Sequence, residues 1–363
     1  MTKRAAAPSI MKINNAILHV FDFVSCVNVF AQEELDLSNK NTLRYVTSQA
    51  RRALNNIDNK RGEFASDSLF AEELRKYFRG QNEFTGLSTQ IAEYIVGELS
   101  RMEKTESTDL LVIDFEGDAA STVRDMTDEE AAAAYEARGK RYFAFLLLES
   151  RQAFMHEVGR AESGAVRNDI ARHHAILPNP SQKVQSYAII ESRSLKVLFC
   201  DKERTIAGDQ RWLIPDGLLQ CSMGASGKET FDGVVRIVEE VAGQYGTSAA
   251  MAVSKAKAYV SENAQESDDI YPEELGREVF DDDAALQKRF AEAVAEEEIP
   301  DRVVVEKAVA ARVAKNHKIR TDTGIDITFP AEYCKNSDFI QFVNGADGRI
   351  SIELKNIGSI ENR

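Results

Sequence analysis

Apolar residues recur at every second position through Tyr187 and Ile189, and again through Leu195, Val197 and Phe199. That is the period of a half-buried β-strand. Between the two runs, Glu191 to Ser194 is polar turn material. Ahead of them, Pro178 and Pro180 exclude helix and bias Asn179 to an extended or turn conformation. Ala175 to Cys200 therefore reads as a strand end, a rigid elbow and a β-hairpin, and the rest of the chain is read around it.

Ile13 to Phe30 opens as a strand by its apolar density. Leu43, Val46, Ala50, Leu54 and Ile57 fall on one face of a helix, with Arg44, Arg51 and Arg52 off that face. Phe70, Leu74 and Phe78 predict a second helix ended by Gly80. Leu87, Ile91, Tyr94, Ile95, Leu99 and Met102 predict a third, with a stripe long enough for a core helix. Asp109 to Phe115 and Tyr142 to Leu148 are short, nearly continuous apolar runs, as central strands are. Thr127 to Glu136, rich in Ala and Glu, reads as an exposed helix or a loop. Arg172 to Ile176 and the central hairpin complete a mostly antiparallel sheet with packed helices.

After Asp201 the composition shifts. Ile206 to Pro215 is a loop holding Trp212, and helices follow. One runs through Phe231, Val234, Val235, Val238 and Val241 and is closed by Gly243 and Gly246; the next runs through Ala249, Val253, Ala256 and Val260. A third carries Leu286, Phe290, Ala293 and Val294, with Asp283 as its N-cap. Val303 to Ala314 is a fourth. Three strands, Gly324 to Phe329, Phe339 to Val343 and Arg349 to Ile357, predict a terminal β-meander, with Asn344 to Gly348 as turn. The expectation is an α+β chain of two domains: 1–205, ending in the central hairpin, and 206–363, helical with the meander.

Three stretches also carry a resemblance. ILPNPSQKVQSYAII (Ile176 to Ile190), with the following strand through Val197, Leu198 and Phe199, is similar to the middle of the bacterial nucleoid-associated protein family of the NdpA/YejK type. INNAILHVFD (Ile13 to Asp22) resembles that family's opening strand, and GRISIELKNIG (Gly348 to Gly358) its closing strand. The matches run in order over nearly the whole chain. The resemblance implies a cytoplasmic protein found with the chromosome and DNA. It carries over no catalytic residues.

Composition agrees with a folded chain: 43% hydrophobic and 29% charged over 363 residues. Cys26, Cys200, Cys221 and Cys334 are far apart and form no Cys-x-x-Cys pair, so they read as buried reduced thiols. The N-terminus is basic but lacks a signal peptide's apolar core, and no run is long enough to span a bilayer; cytoplasmic location and no membrane partner are expected. The net charge is −14, which opposes DNA contact unless the charge is segregated. It is: Ser261 to Pro300 holds 14 acids and three bases, and Arg302 to Arg320 then holds six bases and the single acid Glu306.

Those bases, Arg302, Lys307, Arg312, Lys315, Lys318 and Arg320, are the candidate DNA-binding residues, placed on a helix and the strand leaving it. They fit sequence-independent contact with the backbone of double-stranded DNA, or a solvated face paired with the acidic run. That run fits a basic protein partner, which makes an adaptor at the nucleoid the first alternative. A metal-dependent nuclease is the second. Asp347 followed by Glu353 and Lys355 resembles a pattern in which two carboxylates hold Mg²⁺ and a lysine steadies the attacking water; an alternating surface strand explains it equally. Gly224, Gly227 and Lys228 miss the phosphate-loop spacing, and Glu229 stands where a hydroxyl is needed, so they read as a turn before a helix. His19, His156, His173, His174 and His317 show no metal spacing. The expectation is a DNA-binding protein without catalysis, cofactor or metal, associating as a homodimer because two-fold dimers are the commonest closed assembly.

Overall fold

The computed structural model describes residues 11–104, 106–117, 140–160, 164–245, 248–264, 266–281, 283–305, 307–335, 338–344 and 350–359. The chain divides into two units, Met1–Gly224 and Ala225–Arg363.

In the first unit the elements run β1 (Lys12–Asp22), β2 (Val27–Val29), α1 (Lys40–Leu54), β3 (Lys60–Gly62), α2 (Leu69–Phe78), α3 (Phe84–Leu99), β4 (Thr108–Glu116), β5 (Arg141–Glu149), β6 (Arg151–Arg160), β7 (Val166–Ile176), β8 (Ser186–Glu191), β9 (Val197–Cys200), β10 (Glu203–Ile206) and β11 (Asp209–Trp212). A π-helix, Leu213–Leu219, follows. Seven strands form one antiparallel sheet in the order β2-β1-β4-β5-β8-β9-β3. Successive side chains of a strand point to opposite faces. On β4 and β5, Leu110, Val112, Phe143 and Phe145 therefore join one core with α2, α3 and the π-helix. Leu111, Ile113, Phe115, Ala144 and Leu146 join the other with α1. Both faces are covered, which is why these strands read as unbroken apolar runs.

The helices start and stop where local chemistry places them. Asn39 caps α1 by accepting from the Asn41 and Thr42 amides, and Ser68 caps α2 by accepting from Ala71. Gly80 follows α2 at φ 73°, a left-handed conformation that glycine adopts without strain. Ile57, counted on the face of α1, lies beyond the helix end. The Pro elbow is tied to α1: Tyr45 donates to the Pro178 carbonyl at 2.9 Å and Arg52 to the Pro180 carbonyl at 3.2 Å. Asn179 turns the chain by accepting from the Ser181 amide. In the β8–β9 hairpin, Leu195 takes the left-handed position at φ 53°.

The sheet differs from expectation at β7. It pairs with β6, a strand the apolar pattern did not predict, as a separate two-stranded ribbon rather than joining the sheet. β5 pairs directly with β8, so the ribbon is an insertion between sheet neighbours. The Ala- and Glu-rich Thr127 to Glu136 lies outside the described residues. Residues 206–224 make their contacts in the first unit, where β10 and β11 form a hairpin and the π-helix packs into the core.

The second unit runs α4 (Gly227–Gln244), α5 (Ala249–Asn263), β12 (Asp269–Ile270), α6 (Pro272–Val279), α7 (Ala284–Glu296), β13 (Val303–Val304), α8 (Lys307–Val313), β14 (Asn316–Arg320), β15 (Asp326–Pro330), a 3-10 turn (Ala331–Lys335), β16 (Ile340–Asn344) and β17 (Ile350–Leu354). Ser226 and Glu229 form a capping box on α4, so the Gly224 to Lys228 stretch is a turn and helix start. Gly243 lies within α4 rather than after it. Asp283 caps α7 as its position suggests. α6 is a helix beyond those expected, and it starts on Pro272 at the first position followed by Glu273 and Glu274, which suit the helix dipole. Val303 to Ala314 is not one helix, because Val303 and Val304 pair with β12 before α8 begins. The closing strands make two hairpins instead of a meander. β15 turns back on β14 through Gly324, at φ 88°, and the 3-10 turn separates it from β16, which pairs with β17.

Two buried carboxylates yield tests. Asp201 is fully buried, pairs with Arg204 at 2.7 Å and accepts the Ile214 amide at 2.8 Å. Asp201→Ala leaves a guanidinium only 5% exposed without its counter-charge, and costs about 3–5 kcal/mol by chemical denaturation. Asp109 on β4 is pushed up to about 6, first by burial and then by the Asp22 carboxylate. Its folded form holds the proton more tightly than the unfolded chain, so its contribution to stability falls as pH rises from about 4 through about 6. Asp109→Asn should stabilise the first unit at pH 7 by on the order of 2 kcal/mol and flatten that slope in thermal melts.

Candidate nucleic-acid interface

The six candidate bases divide by environment. Arg302 precedes β13 and pairs with Asp269 of β12 at 2.7 Å, which raises its pKa. Asp269 belongs to the acidic run, so pairing with that run describes this residue. The pair is exposed on the arginine side and contributes little to stability. Lys307 opens α8, and Arg312 lies in its last turn, where a cation suits the helix dipole. Lys315 is exposed, and its carbonyl accepts the Ala331 amide at 3.0 Å.

Lys318 and Arg320 share the outward face of β14, because the alternating residues His317 and Ile319 turn inward. Asp326 on β15 faces both, 3.8 Å from Lys318 Nζ and 3.9 Å from Arg320 Nε. These two bases therefore turn to a carboxylate outside the acidic run. Within that run, Arg277 pairs with Glu273, and Lys288 and Arg289 both pair with Glu292. Arg236 of α4 reaches Glu297 at 2.6 Å. The run is thus partly neutralised by its own bases and by α4.

The inward side of β14 packs against α5 and β15. His317 is buried, hydrogen-bonds Ser254 of α5, and meets Phe329 edge-on at 5.5 Å between ring centres. Burial, with Lys257 adding, pushes the His317 imidazole down to about 4. His19 is equally structural: its Nδ1 accepts the Ala31 amide at 3.1 Å, which leaves Nε2 to donate to Ser88.

The other candidates are placed as follows. Arg44, Arg51 and Arg52 are exposed on α1, with Arg52 holding the Pro elbow. Of the nuclease-like set, Asp347 lies outside the described residues, as do Gly345 to Gly348 of the expected turn and Arg349 at the start of the expected strand. Glu353 and Lys355 form an ion pair at 3.6 Å, and Lys355 also donates to Gln341 on β16. Among the described residues no three His, Cys, Asp or Glu side chains gather as a metal site. Sequence reasoning passed over the β6–β7 ribbon, with Arg160, Arg167 and Arg172 exposed on it. The available signal was slight: Val166 and Ile170 share one strand face after Gly164, which sits at φ 79°, but the polar Asn168 stands between them.

The arrangement is that of an α+β chain with exposed cations on a small hairpin, on a long ribbon and on α1 within an acidic whole. A family model described as nucleoid-associated protein YejK matches residues 17–361, and the chain belongs to that family. The resemblance carried by Ile13 to Asp22, Ile176 to Ile190 and Gly348 to Gly358 is borne out, and with it a nucleoid-associated role. No curated protein matches the chain. No helix among the described residues is long and apolar enough to cross a membrane.

The buried His317 makes the second unit acid-sensitive. The unfolded chain takes up a proton near pH 6.5 and the folded one only near 4, so stability is complete above about 6.5 and is lost as pH falls through that window. The loss should reach on the order of 2–3 kcal/mol, and His317→Ala should remove that pH slope from denaturation curves while lowering stability at neutral pH.

Proposed function

We propose that this chain binds double-stranded DNA directly as a cytoplasmic, nucleoid-associated protein, through phosphate contacts with little sequence preference and without catalysis. The observation that carries the reading is the outward face of β14, where Lys318 and Arg320 stand exposed beside Lys315 in a chain of net charge −14. Membership of a nucleoid-associated family supports it. Backbone binding fits because the bases are spaced along a helix end and a strand, which suits phosphate contact rather than reading of base edges. A homodimer would bring two such faces to one DNA, and light scattering at micromolar concentration tests that assembly.

The adaptor reading draws on the acids of 261–300 that project from α6 and α7. A gel shift with purified protein separates the two. Direct binding should weaken as salt rises, with log affinity falling by roughly 0.9 per phosphate neutralised. The Lys315→Glu, Lys318→Glu, Arg320→Glu variant should bind more weakly on unrelated sequences alike and show a slope shallower by roughly 2–3. Asp326→Asn, which removes the acid between Lys318 and Arg320, should bind more tightly. Unchanged affinity and slope in a normally folded triple variant would refute this surface. Plasmid cleavage with Mg²⁺ that is lost in Glu353→Ala would refute the non-catalytic reading.

A further inference from the structure

The β6–β7 ribbon is sorted by face. Its register pairs Phe154 with Arg172, His156 with Ile170, Val158 with Asn168 and Arg160 with Val166. Residues paired across an antiparallel ladder share a face. That face therefore carries two arginines and a histidine and no acid. It also carries four strongly exposed apolar side chains: Phe154 at 72%, Val158 at 70%, Val166 at 67% and Ile170 at 77%. The opposite face holds both acids of the described strands, Glu157 and Asp169, with Arg167 3.0 Å from Asp169 and the His173 ring 4.0 Å from Glu157, and one exposed apolar side chain, Met155 at 51%. One face mixes both signs of charge and carries one of the ribbon's five strongly exposed apolar side chains. The other is cationic, apolar and uncovered.

Single exposed apolar residues need no explanation, but four on one face of one ribbon do. Their cost is accepted only where a partner covers them. A second copy of the same face is disfavoured, since Arg160 and Arg172 would meet like charges with no acid on the face to pair them. A polyanion is the complement. Strands spanning 10 and 11 residues give the ribbon a length of about 33 Å, or roughly one turn of duplex DNA. A two-stranded ribbon fits a DNA groove, and apolar side chains inserted between base steps unstack and kink the duplex. The arginines are already set. Arg172 lies over the Phe154 ring at 5.9 Å and donates to Gln152, and Arg160 donates to the Gly164 carbonyl at 3.3 Å.

We propose that the acid-free face of the β6–β7 ribbon is a second DNA-contacting surface, seating its apolar side chains against base steps of double-stranded DNA and its two arginines on flanking phosphates. The inference rests on the proposed direct binding and adds to it a site and a consequence: the bound DNA is bent. Two full-length variants test it. Phe154→Ser, Val158→Ser, Val166→Ser, Ile170→Ser removes the apolar contacts and keeps the charge. Arg160→Glu, Arg172→Glu does the reverse. All six positions are exposed, so both variants should melt as the parent does.

Duplexes of about 30 base pairs, end-labelled for energy transfer, report bending, and a salt titration reports phosphate contacts. The parent should bring the ends together. The serine variant should bind with at most a few-fold loss and no longer bend the duplex. The glutamate variant should lose roughly tenfold in affinity, with a salt slope shallower by roughly 2. If the parent binds no duplex at all, direct DNA binding fails and the ribbon proposal with it. If the parent binds and both ribbon variants match it in affinity, slope and bending, the ribbon proposal fails alone. A serine variant that keeps its bending but drops in mass by light scattering makes the face a self-association surface and overturns the proposal.

Discussion

The two-faced burial of β4, β5 and β8 is the constraint on which the first unit depends. An antiparallel sheet usually leaves one face to water. Here both cores pass through the same strands, so each residue of Leu110 to Ile113 and Phe143 to Leu146 is committed to one core or the other. A slip of one residue would exchange the two sets and mismatch α1 against the face built for α2 and α3. Packing thereby specifies the register over the middle of the sheet.

Two buried carboxylates within this apolar frame gather their neighbours. Asp114 on β4 accepts from Tyr77 at 2.5 Å, from Arg141 at 2.6 Å and from Asn14 at 2.9 Å, which ties α2, β5 and β1 to one carboxylate. Arg141 in turn lies over the Tyr77 ring at 5.4 Å. Asp201 does the same for the segment after β9, holding Arg204 and the start of the π-helix. A buried charge of this kind adds little net stability but penalises any arrangement that leaves it unpaired.

Charge placement gives the second unit its character. The acids of 261–300 are met in part by Arg277, Lys288, Arg289, Arg236 and Arg302, so their contiguity in sequence overstates the local field. The bases at the end of the 302–320 segment stay at the surface because β14 buries His317 and presents Lys318 and Arg320. The ribbon separates charge differently, face from face across one ladder.

Much of the architecture was legible in the sequence. The three N-terminal helices, β4, β5 and the hairpin at Ile189 to Phe199 are all strong periodic or apolar signals, and such signals survive because burial acts on each residue of a run. The helix start at Asp283 was legible because a cap acts within three residues, whereas the capping box at Ser226 came from the structure. The candidate bases could be named but not sorted: which of them face solvent, and which meet Asp269 or Asp326, depends on strands pairing across gaps in the chain. The same limit hid the ribbon, the hairpins that replace a terminal meander, and the break between β13 and α8. Local pattern states that a residue prefers burial or exposure. Only the tertiary structure decides what it meets there, because strand pairing and ion pairing join residues that the sequence holds apart.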